Sequence, residues 1–153
     1  MHDRSLEVRV WVAALSFQSE LYVRLNRALM GECGLTLAKY DFLAQIYGLD
    51  DGLTLGELTR KLKVTGGNVT GLGKRLVADG LVTREASPTD RRSFIARITQ
   101  KGSEAFEAAR AYHDSLVDDW LGESVPEGSL ETTLASLEML RTALGRKGKA
   151  NGK

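Results

Sequence analysis

The sequence contains very little cysteine and histidine, and it lacks long hydrophobic runs. Cys33 is its single cysteine, so no disulfide can form within one chain, which fits a reducing cytoplasm. With only two histidines, His2 and His113, and no paired Cys/His spacing, we expect neither a metal site nor a cofactor. No apolar run reaches the roughly 18 residues of a membrane helix, and the first ten residues have no signal-peptide core. We therefore expect a cytoplasmic protein without membrane contact.

Sequence signatures of enzymes are also missing. The chain has no GxSxG nucleophile motif, no P-loop and no Walker-type lysine. Acidic residues are numerous, but they occur at the scattered spacings that are typical of solvated helices. These observations favour a protein that is not an enzyme.

The charge of the chain is small in total but unevenly distributed. The formal net charge of +1 gives by itself no reason to expect a nucleic-acid partner. Between residues 60 and 101, however, ten Lys and Arg residues stand against three acids, and between 102 and 140 one Arg stands against nine acids. A basic segment attracts phosphates, whereas an acidic helical segment faces solvent and repels DNA. The distribution indicates a DNA-binding middle third.

Residues 55–99 have the pattern of a winged helix-turn-helix. The short amphipathic helix LGELTRKL precedes a tight turn at residues 63–64 and a second helix from Thr65 to Ala78. The break Asp79-Gly80 is followed by two alternating strands with a polar tip between them. Two short helices at a sharp angle plus a β-hairpin place one helix in a major groove and the hairpin tip beside it. We predict a mainly α (α+β) fold with a winged helix-turn-helix DNA-binding domain at residues 35–100.

Two threonines are expected to begin helices before the reading helix. Thr36 would cap the helix LAKYDFLAQIYGL, because its hydroxyl can accept a free helix N–H. Thr54 would cap LGELTRKL, and Glu57 would complete a capping box with it.

Residue types in the second helix predict contacts with DNA. Thr65 is the expected N-cap, and the expected inward residues are Val69, Leu72, Leu76 and Val77. The groove side would then consist of Thr65, Gly66, Asn68, Thr70, Gly71, Lys74 and Arg75. Asn reads adenine bidentately and Thr contacts a thymine methyl group, while Lys74 and Arg75 suit phosphates. The alternative is that Asn68 and Thr70 are only solvated helix residues.

The reading helix is unusually rich in glycine. Four glycines lie in or beside it, namely Gly66, Gly67, Gly71 and Gly73. Each glycine in a helix interior lowers the stability of the helix by about 0.8–1.0 kcal/mol relative to Ala. Three alternatives account for this composition. The glycines allow the backbone to approach DNA closely, or they give a helix that becomes firm only when it is bound. The third is neutral drift of the sequence in a helix that its apolar residues hold in place.

The predicted hairpin tip, residues 86–92, carries Asp90, Arg91 and Arg92 between strands at 80–84 and 93–99. A guanidinium inserted in a narrow minor groove gains from its negative potential, and Asp90 would hold Arg92 as an ion pair. The alternative is a turn built from a polar Asx residue and two solvated arginines.

Long amphipathic helices flank the DNA-reading segment. The first runs from about Ser5 to Met30, ends at Gly31 and Gly34, and leaves Cys33 in the following loop; two more follow residue 101. Their apolar stripes need a partner, so we predict a helical dimerisation region of residues 1–34 and 101–147, followed by a flexible basic tail at 148–153. A twofold homodimer buries the stripes and spaces two reading helices for palindromic double-stranded DNA. The alternative is a monomeric bundle cap.

The run from Leu35 to about Ala109 resembles the MarR family of bacterial transcriptional regulators. The resemblance rests on GLTLAKYDFLAQI, on LTLGELTRKLKVTGGNVTGLGKRLVADGLVTRE, on the wing SPTDRRSFIARIT and on the helix opening at residues 99–102. It implies a homodimer built from the terminal helices, reading helices in successive major grooves and Arg92 in the minor groove. The Gly-rich reading helix departs from the family pattern.

The resemblance also implies repression as the commoner outcome and release by a small molecule, often an aromatic acid or its derivative. In this chain the family's effector pocket would be lined by Trp11, Phe17, Arg24, Tyr40, Tyr47 and His113. We expect an aromatic carboxylate or its CoA thioester to bind there and spread the reading helices, although aromatic residues at helical spacing more often form core.

Two alternatives to ligand release remain at this point. The first is a redox response through Cys33, which has no second cysteine to resolve it and has Glu32 as its nearest charge in sequence. The second is a winged helix that binds protein without specific DNA binding, for which a neutral reading helix and wing would be the signature. Lys74, Arg75, Arg91 and Arg92 contradict that signature.

Overall fold

Six helices and a small sheet make up the part of the chain that is described. The computed structural model of the chain describes residues 5–62, 69–87, 94–123 and 125–150. In chain order the elements are α1 (Leu6–Cys33), α2 (Leu37–Ile46), β1 (Leu53–Thr54), α3 (Leu55–Lys61), α4 (Val69–Ala78), β2 (Val82–Ala86), β3 (Phe94–Ile98), α5 (Gln100–Gly122) and α6 (Ser129–Ala150). The predicted mainly α fold with a winged helix-turn-helix is confirmed.

The expected N-caps form. The Thr36 hydroxyl accepts a hydrogen bond from the backbone N–H of Lys39 at 3.2 Å. The Thr54 hydroxyl accepts from the N–H of Glu57 at 3.2 Å, and the Glu57 carboxylate accepts from the N–H of Thr54 at 2.8 Å. This reciprocal pair is the predicted capping box, and it sets the start of α3.

The first helix is longer than predicted. It continues through Gly31 and Cys33 and ends at Gly34, so the placement of Cys33 in a loop is wrong. One interior glycine costs only about 1 kcal/mol, which does not stop a helix whose last turns are packed. Leu29 is fully buried there, and Asn26 accepts a hydrogen bond from the backbone N–H of Leu37 at 2.9 Å, which ties α1 to α2.

The core joins the winged helix to parts of the flanking helices. Its buried side chains come from the last turns of α1, from α2, α3 and α4, and from the first turns of α5; they include Leu25, Leu29, Phe42, Leu43, Ile46, Leu58, Leu72, Leu76, Phe106 and Ala109. Full burial of an aliphatic or Phe side chain contributes roughly 1.5–3 kcal/mol. The first compact unit accordingly extends to His113, so tertiary packing does not stop at the predicted limits of residues 35 and 100.

The sheet has three antiparallel strands in the order β1-β3-β2, with Leu53 opposite Ala96 and Val82 opposite Ile98. The two-residue strand β1 is too short to show alternation and was not predicted. Gly52 precedes it with a φ of 64°, and a Cβ at Gly52 would lie 2.3 Å from the Ala96 carbonyl oxygen. Glycine therefore allows the turn before β1 to pass against β3.

The second compact unit begins at Asp114 and contains the end of α5 and all of α6. The leucines of the predicted α6 stripe are exposed, with Leu134 at 59% and Leu144 at 72% of their full accessibility. The helix continues to Ala150, so residues 148–150 of the predicted flexible tail are helical. Gly145 and Gly148 do not suffice to stop the helix.

Candidate DNA-binding surface

The reading helix α4 is held to the core by one narrow face. Leu72 and Leu76 are buried, and a Cβ at Gly73 would lie 3.7 Å from Leu55 and Phe42, an ordinary contact distance. Val77 is 39% exposed, so its predicted inward position is wrong. Gly73 takes the inward place, because the 100° step of a helix groups it with Leu72 and Leu76.

The opposite face of α4 carries the predicted contacts that the structure describes. Thr70, Lys74 and Arg75 are exposed, and Gly71 is half-buried. Among the described residues no carboxylate lies within salt-bridge distance of Lys74 or Arg75. The predicted residues Thr65, Gly66 and Asn68 lie outside the described part of the chain.

A narrow cleft separates α4 from the wing strands. Thr70, Lys74 and Val77 line its helix side, and Val82, Arg84 and Phe94 line its strand side. Its volume is about 10 Å³, which is close to the space for one water molecule. The reading helix and the base of the wing therefore pack side by side and form one continuous surface.

Arg84 is a basic residue of this surface that sequence reasoning missed. Its guanidinium lies over the Phe94 ring, 3.5 Å from the ring centroid, in a cation–π contact. The alternation of β2 was the available signal: Val82 is buried, and Arg84, two residues on, belongs to the same face of the strand. Its charge adds to that of Lys74 beside the cleft.

Two other basic residues, Arg97 and Lys39, form hydrogen bonds and ion pairs within the chain. Arg97 donates through Nε to the Glu85 carboxylate at 3.3 Å and through a terminal nitrogen to the Asp50 carbonyl oxygen. Lys39 pairs with the Asp79 carboxylate at 2.5 Å, directly after α4. Lys74, Arg75 and Arg84, in contrast, have no carboxylate within salt-bridge distance among the described residues. The wing residues Asp90, Arg91 and Arg92 lie outside those residues.

The structure brings together half of the residues that were predicted to line an effector pocket. Tyr40 stacks on Phe106 at 5.3 Å and on His113 at 4.8 Å between ring centroids. The Tyr47 ring lies 4.7 Å from Phe106, and its hydroxyl donates to the Glu107 carboxylate at 2.5 Å. That hydrogen bond is the main cause of the raised pKa of Tyr47. The rings thus contact one another around Phe106.

The other predicted pocket residues lie apart from this aromatic cluster. Trp11 is 63% and Phe17 is 53% exposed on α1. Arg24 lines a shallow surface depression together with Ser19, Glu20, Val23 and Arg27. One chain therefore does not assemble the six predicted residues into one pocket.

A half-buried carboxyl group, Asp41, borders the aromatic cluster and was also missed. Its Oδ2 atom is buried without a hydrogen-bond partner among the described residues. Burial raises the pKa of Asp41, and the charge of His113 opposes this rise. The position of Asp41 between Tyr40 and Phe42, both buried, was the signal in the sequence.

The environment of Cys33 makes its thiol less reactive. Burial raises the pKa of the Cys33 thiol, and the neighbouring charge of Glu32 raises this pKa further. A higher pKa leaves less thiolate, which is the form that reacts with oxidants. Its surroundings therefore do not favour a redox role.

None of the helices in the described part of the chain is long and apolar enough to cross a membrane. Within the same residues no group of three or more His, Cys, Asp or Glu side chains is arranged to hold a metal ion.

Comparison with known proteins identifies the fold and the family. The MarR family model matches residues 34–93. Two solved structures share the fold at sequence identities of 22% and 20%, and at these identities the similarity shows the fold alone. Sco3205 from Streptomyces coelicolor, a MarR family transcriptional regulator solved in complex with DNA, is 22% identical with a TM-score of 0.79 and covers 94% of this chain and 92% of its own. CouR from Rhodococcus jostii RHA1, solved bound to p-coumaroyl-CoA, is 20% identical with a TM-score of 0.71 and covers 90% of this chain and 95% of its own.

A third structure is more similar in sequence. The MarR family transcriptional regulator from Silicibacter pomeroyi is 35% identical to this chain, with a TM-score of 0.80. The match covers 90% of this chain and 94% of that chain. An identity of this size over nearly the whole of both chains shows that the chain belongs to the MarR family of transcriptional regulators.

Proposed function

We propose that the chain is a homodimeric, sequence-specific regulator that places α4 in the major groove of a palindromic double-stranded operator. The observation that carries the proposal is the basic surface without ion-pair partners among the described residues, which consists of Lys74 and Arg75 on the exposed side of α4 and Arg84 beside them on β2. Phosphates attract such a surface, and a groove-bound helix needs one face free of packing. The DNA complex of Sco3205, which shares the fold, is consistent with this use of the surface.

Each predicted contact has a role in this proposal. The base-reading positions are Thr65, Gly66, Asn68, Thr70 and Gly71. Lys74, Arg75 and Arg84 neutralise phosphates, which fixes orientation without specifying sequence. Asp90, Arg91 and Arg92 form the wing contact, with Arg92 in the minor groove.

The proposed dimer uses the terminal helices, residues 1–34 and 101–147, around a winged helix at 35–100. Its support is the set of large apolar side chains that one chain leaves exposed on α1 and α6, among them Leu6, Trp11, Phe17, Leu134 and Leu144. Large apolar side chains that are exposed along a helix mark interaction sites when they recur on one face. A twofold dimer also gives two reading helices for two half-sites.

The test is fluorescence anisotropy on an operator selected from random double-stranded DNA, at several salt concentrations. Lys74→Gln should weaken binding on all sequences and reduce the salt slope by about one. Arg92→Ala should cost about 1–3 kcal/mol if it reads the groove. Arg141→Gln, the same loss of charge on exposed α6, is the control and should change neither quantity. Weak binding that is equal on all sequences would contradict the proposal and favour a protein-binding winged helix.

The proposed regulation is release of a repressor by an aromatic carboxylate or its CoA thioester. It is supported by the p-coumaroyl-CoA complex of CouR, which shares the fold, and by the exposed aromatics of α1, Trp11 and Phe17, which a second protomer would cover. Phenolic acids and their CoA esters should dissociate the operator complex, and CoA alone should not. A complete series of such compounds without effect would contradict this part of the proposal.

A further inference from the structure

Three successive backbone carbonyls after the reading helix are bound by the start of α5. Lys101 donates through Nζ to the Asp79 carbonyl at 2.7 Å, and Thr99 donates through its hydroxyl to the Gly80 carbonyl at 2.8 Å. The backbone N–H of Thr99 donates to the Leu81 carbonyl at 3.0 Å. We call these contacts between residues 79–81 and 99–102 the α4–α5 joint.

Thr99 has two roles in the joint. Besides donating to Gly80, its hydroxyl accepts from the backbone N–H of Gly102 at 2.9 Å and so caps α5. A Cβ at Gly102 would lie 2.1 Å from the Leu81 carbonyl oxygen. Only glycine therefore allows the first turn of α5 to lie so close to the segment that follows α4.

A third helix completes the joint. The Lys39 side chain reaches from α2 to the Asp79 carboxylate, whose own carbonyl is held by Lys101. Lys39 is largely buried, at 18% side-chain exposure. Asp79 is the first residue after α4, so the C-terminal end of the reading helix is fixed by two lysines from different helices.

We infer that the α4–α5 joint makes the first turns of α5 and the reading helix one rigid body, and that Thr99 is a positioning residue for DNA recognition. The inference rests on the proposed function. Apolar contacts such as those of Leu72 and Leu76 are non-directional, whereas hydrogen bonds to three consecutive carbonyls depend on angle as well as distance. In a dimer that joins through its terminal helices, the direction of α5 then sets the distance between the two reading helices.

Half-site spacing is the readout that separates positioning from simple stabilisation. Two rigidly held reading helices bind half-sites only at the matching separation along the DNA. A variant with a loosened joint should tolerate an inserted base pair, while a variant that is only less stable should lose affinity for both spacings in proportion. The measured quantity is the ratio of Kd values for the operator with one base pair inserted and for the selected operator.

The experiment compares Thr99→Val with Thr99→Ser, which keeps the hydroxyl. Thr99→Val should lower the spacing ratio by about three- to tenfold, the effect of one or two lost hydrogen bonds, and Thr99→Ser should keep it. Thr59→Val is the matched control, because it removes a hydroxyl-to-carbonyl hydrogen bond of 2.8 Å to Leu55 in α3, outside the joint and outside the proposed dimerisation region. Lys101→Met, which removes only the donor to Asp79, gives the same test if Thr99→Val does not fold.

The outcomes distinguish the inference from the proposed function. A wild-type protein without preference for any sequence or spacing would contradict the proposed function, and the role of the joint with it. A wild-type protein that selects spacing, with an unchanged ratio in both Thr99→Val and Lys101→Met, would overturn the joint alone. A lowered ratio in Thr59→Val equal to that in Thr99→Val would also overturn it.

Discussion

At the scale of single residues, close backbone approaches explain glycines that composition alone does not. Gly102 in α5 and Gly73 in α4 are both buried helical glycines, yet their surroundings differ. A Cβ would meet a carbonyl oxygen at 2.1 Å in the first case and side-chain atoms at 3.7 Å in the second. The same substitution should therefore have opposite effects at the two positions.

Gly102→Ala should destabilise the protein by about 1–3 kcal/mol, because the new methyl group forces the start of α5 away from Leu81. The measurement is the free energy of unfolding in urea. Gly73→Ala serves as the matched control and should not lose stability. Equal stability of Gly102→Ala and the wild type would show that the joint moves apart at little cost.

A second residue-scale prediction concerns Asp41. Burial raises its pKa above the ordinary value of 3.8, so the folded state holds this proton more tightly than the unfolded state does. The contribution of the Asp41 carboxyl group to the free energy of unfolding is fully present below its pKa in the unfolded chain. This contribution is lost as the pH rises through its higher pKa in the folded protein. Asp41→Asn should remove this loss.

The measurement for Asp41 is the unfolding free energy of the variant minus that of the wild type, from roughly pH 3.5 to pH 7. We expect this difference to rise with pH. Glu57, whose pKa is lowered by hydrogen bonds from Thr54, acts with the opposite sign, but it is present in both proteins and cancels. Asp118→Asn, at an exposed position of α5, is the control for the substitution, and the rise for Asp41→Asn should exceed any change in it. A flat difference for Asp41→Asn would contradict the prediction.

At the scale of elements, α4 combines weak helix propensity with a strong core contact. Gly73 faces Phe42 and Leu55, so at this position a need for close approach to DNA does not account for the glycine. Gly73→Ala should raise the unfolding free energy by about 0.8–1.0 kcal/mol and leave the operator affinity unchanged. A loss of affinity without a loss of stability would show that flexibility of α4 contributes to binding.

At the scale of the whole molecule, membership in a family of transcriptional regulators confirms that the chain is not an enzyme. The exposed leucines of α6 lead to the proposed dimer. Leu137→Glu places a charge on that stripe and should shift sedimentation from dimer to monomer. Leu49→Glu, also at an exposed leucine but between α2 and β1, should leave the dimer intact.

The same prediction has a thermodynamic readout. The midpoint of thermal unfolding should rise with protein concentration for the wild type and for Leu49→Glu, because dimerisation binds only the folded chain. It should be independent of concentration for Leu137→Glu. A monomeric wild type at micromolar concentration would contradict the dimer and favour a monomeric bundle cap.

Local chemistry determined what could be predicted from the sequence. Thr36, Thr54 and Glu57 form caps with partners three residues away, so their hydrogen bonds depend on neighbours in the chain. The helix-turn-helix order, the break at Asp79-Gly80 and the family resemblance follow from the same kind of short-range pattern. They were predicted correctly because helix periodicity and turn preferences require no knowledge of distant residues.

Contacts between distant parts of the chain were decided only by the tertiary structure. Strand β1 exists because Leu53 meets Ala96, Arg84 is placed over Phe94 by the register of the hairpin, and Val77 is exposed because Gly73 takes the inward position. The α4–α5 joint likewise depends on backbone carbonyls, which no side-chain pattern encodes. Sequence periodicity tells which residues share a face, whereas the packing of one element on another determines what that face meets.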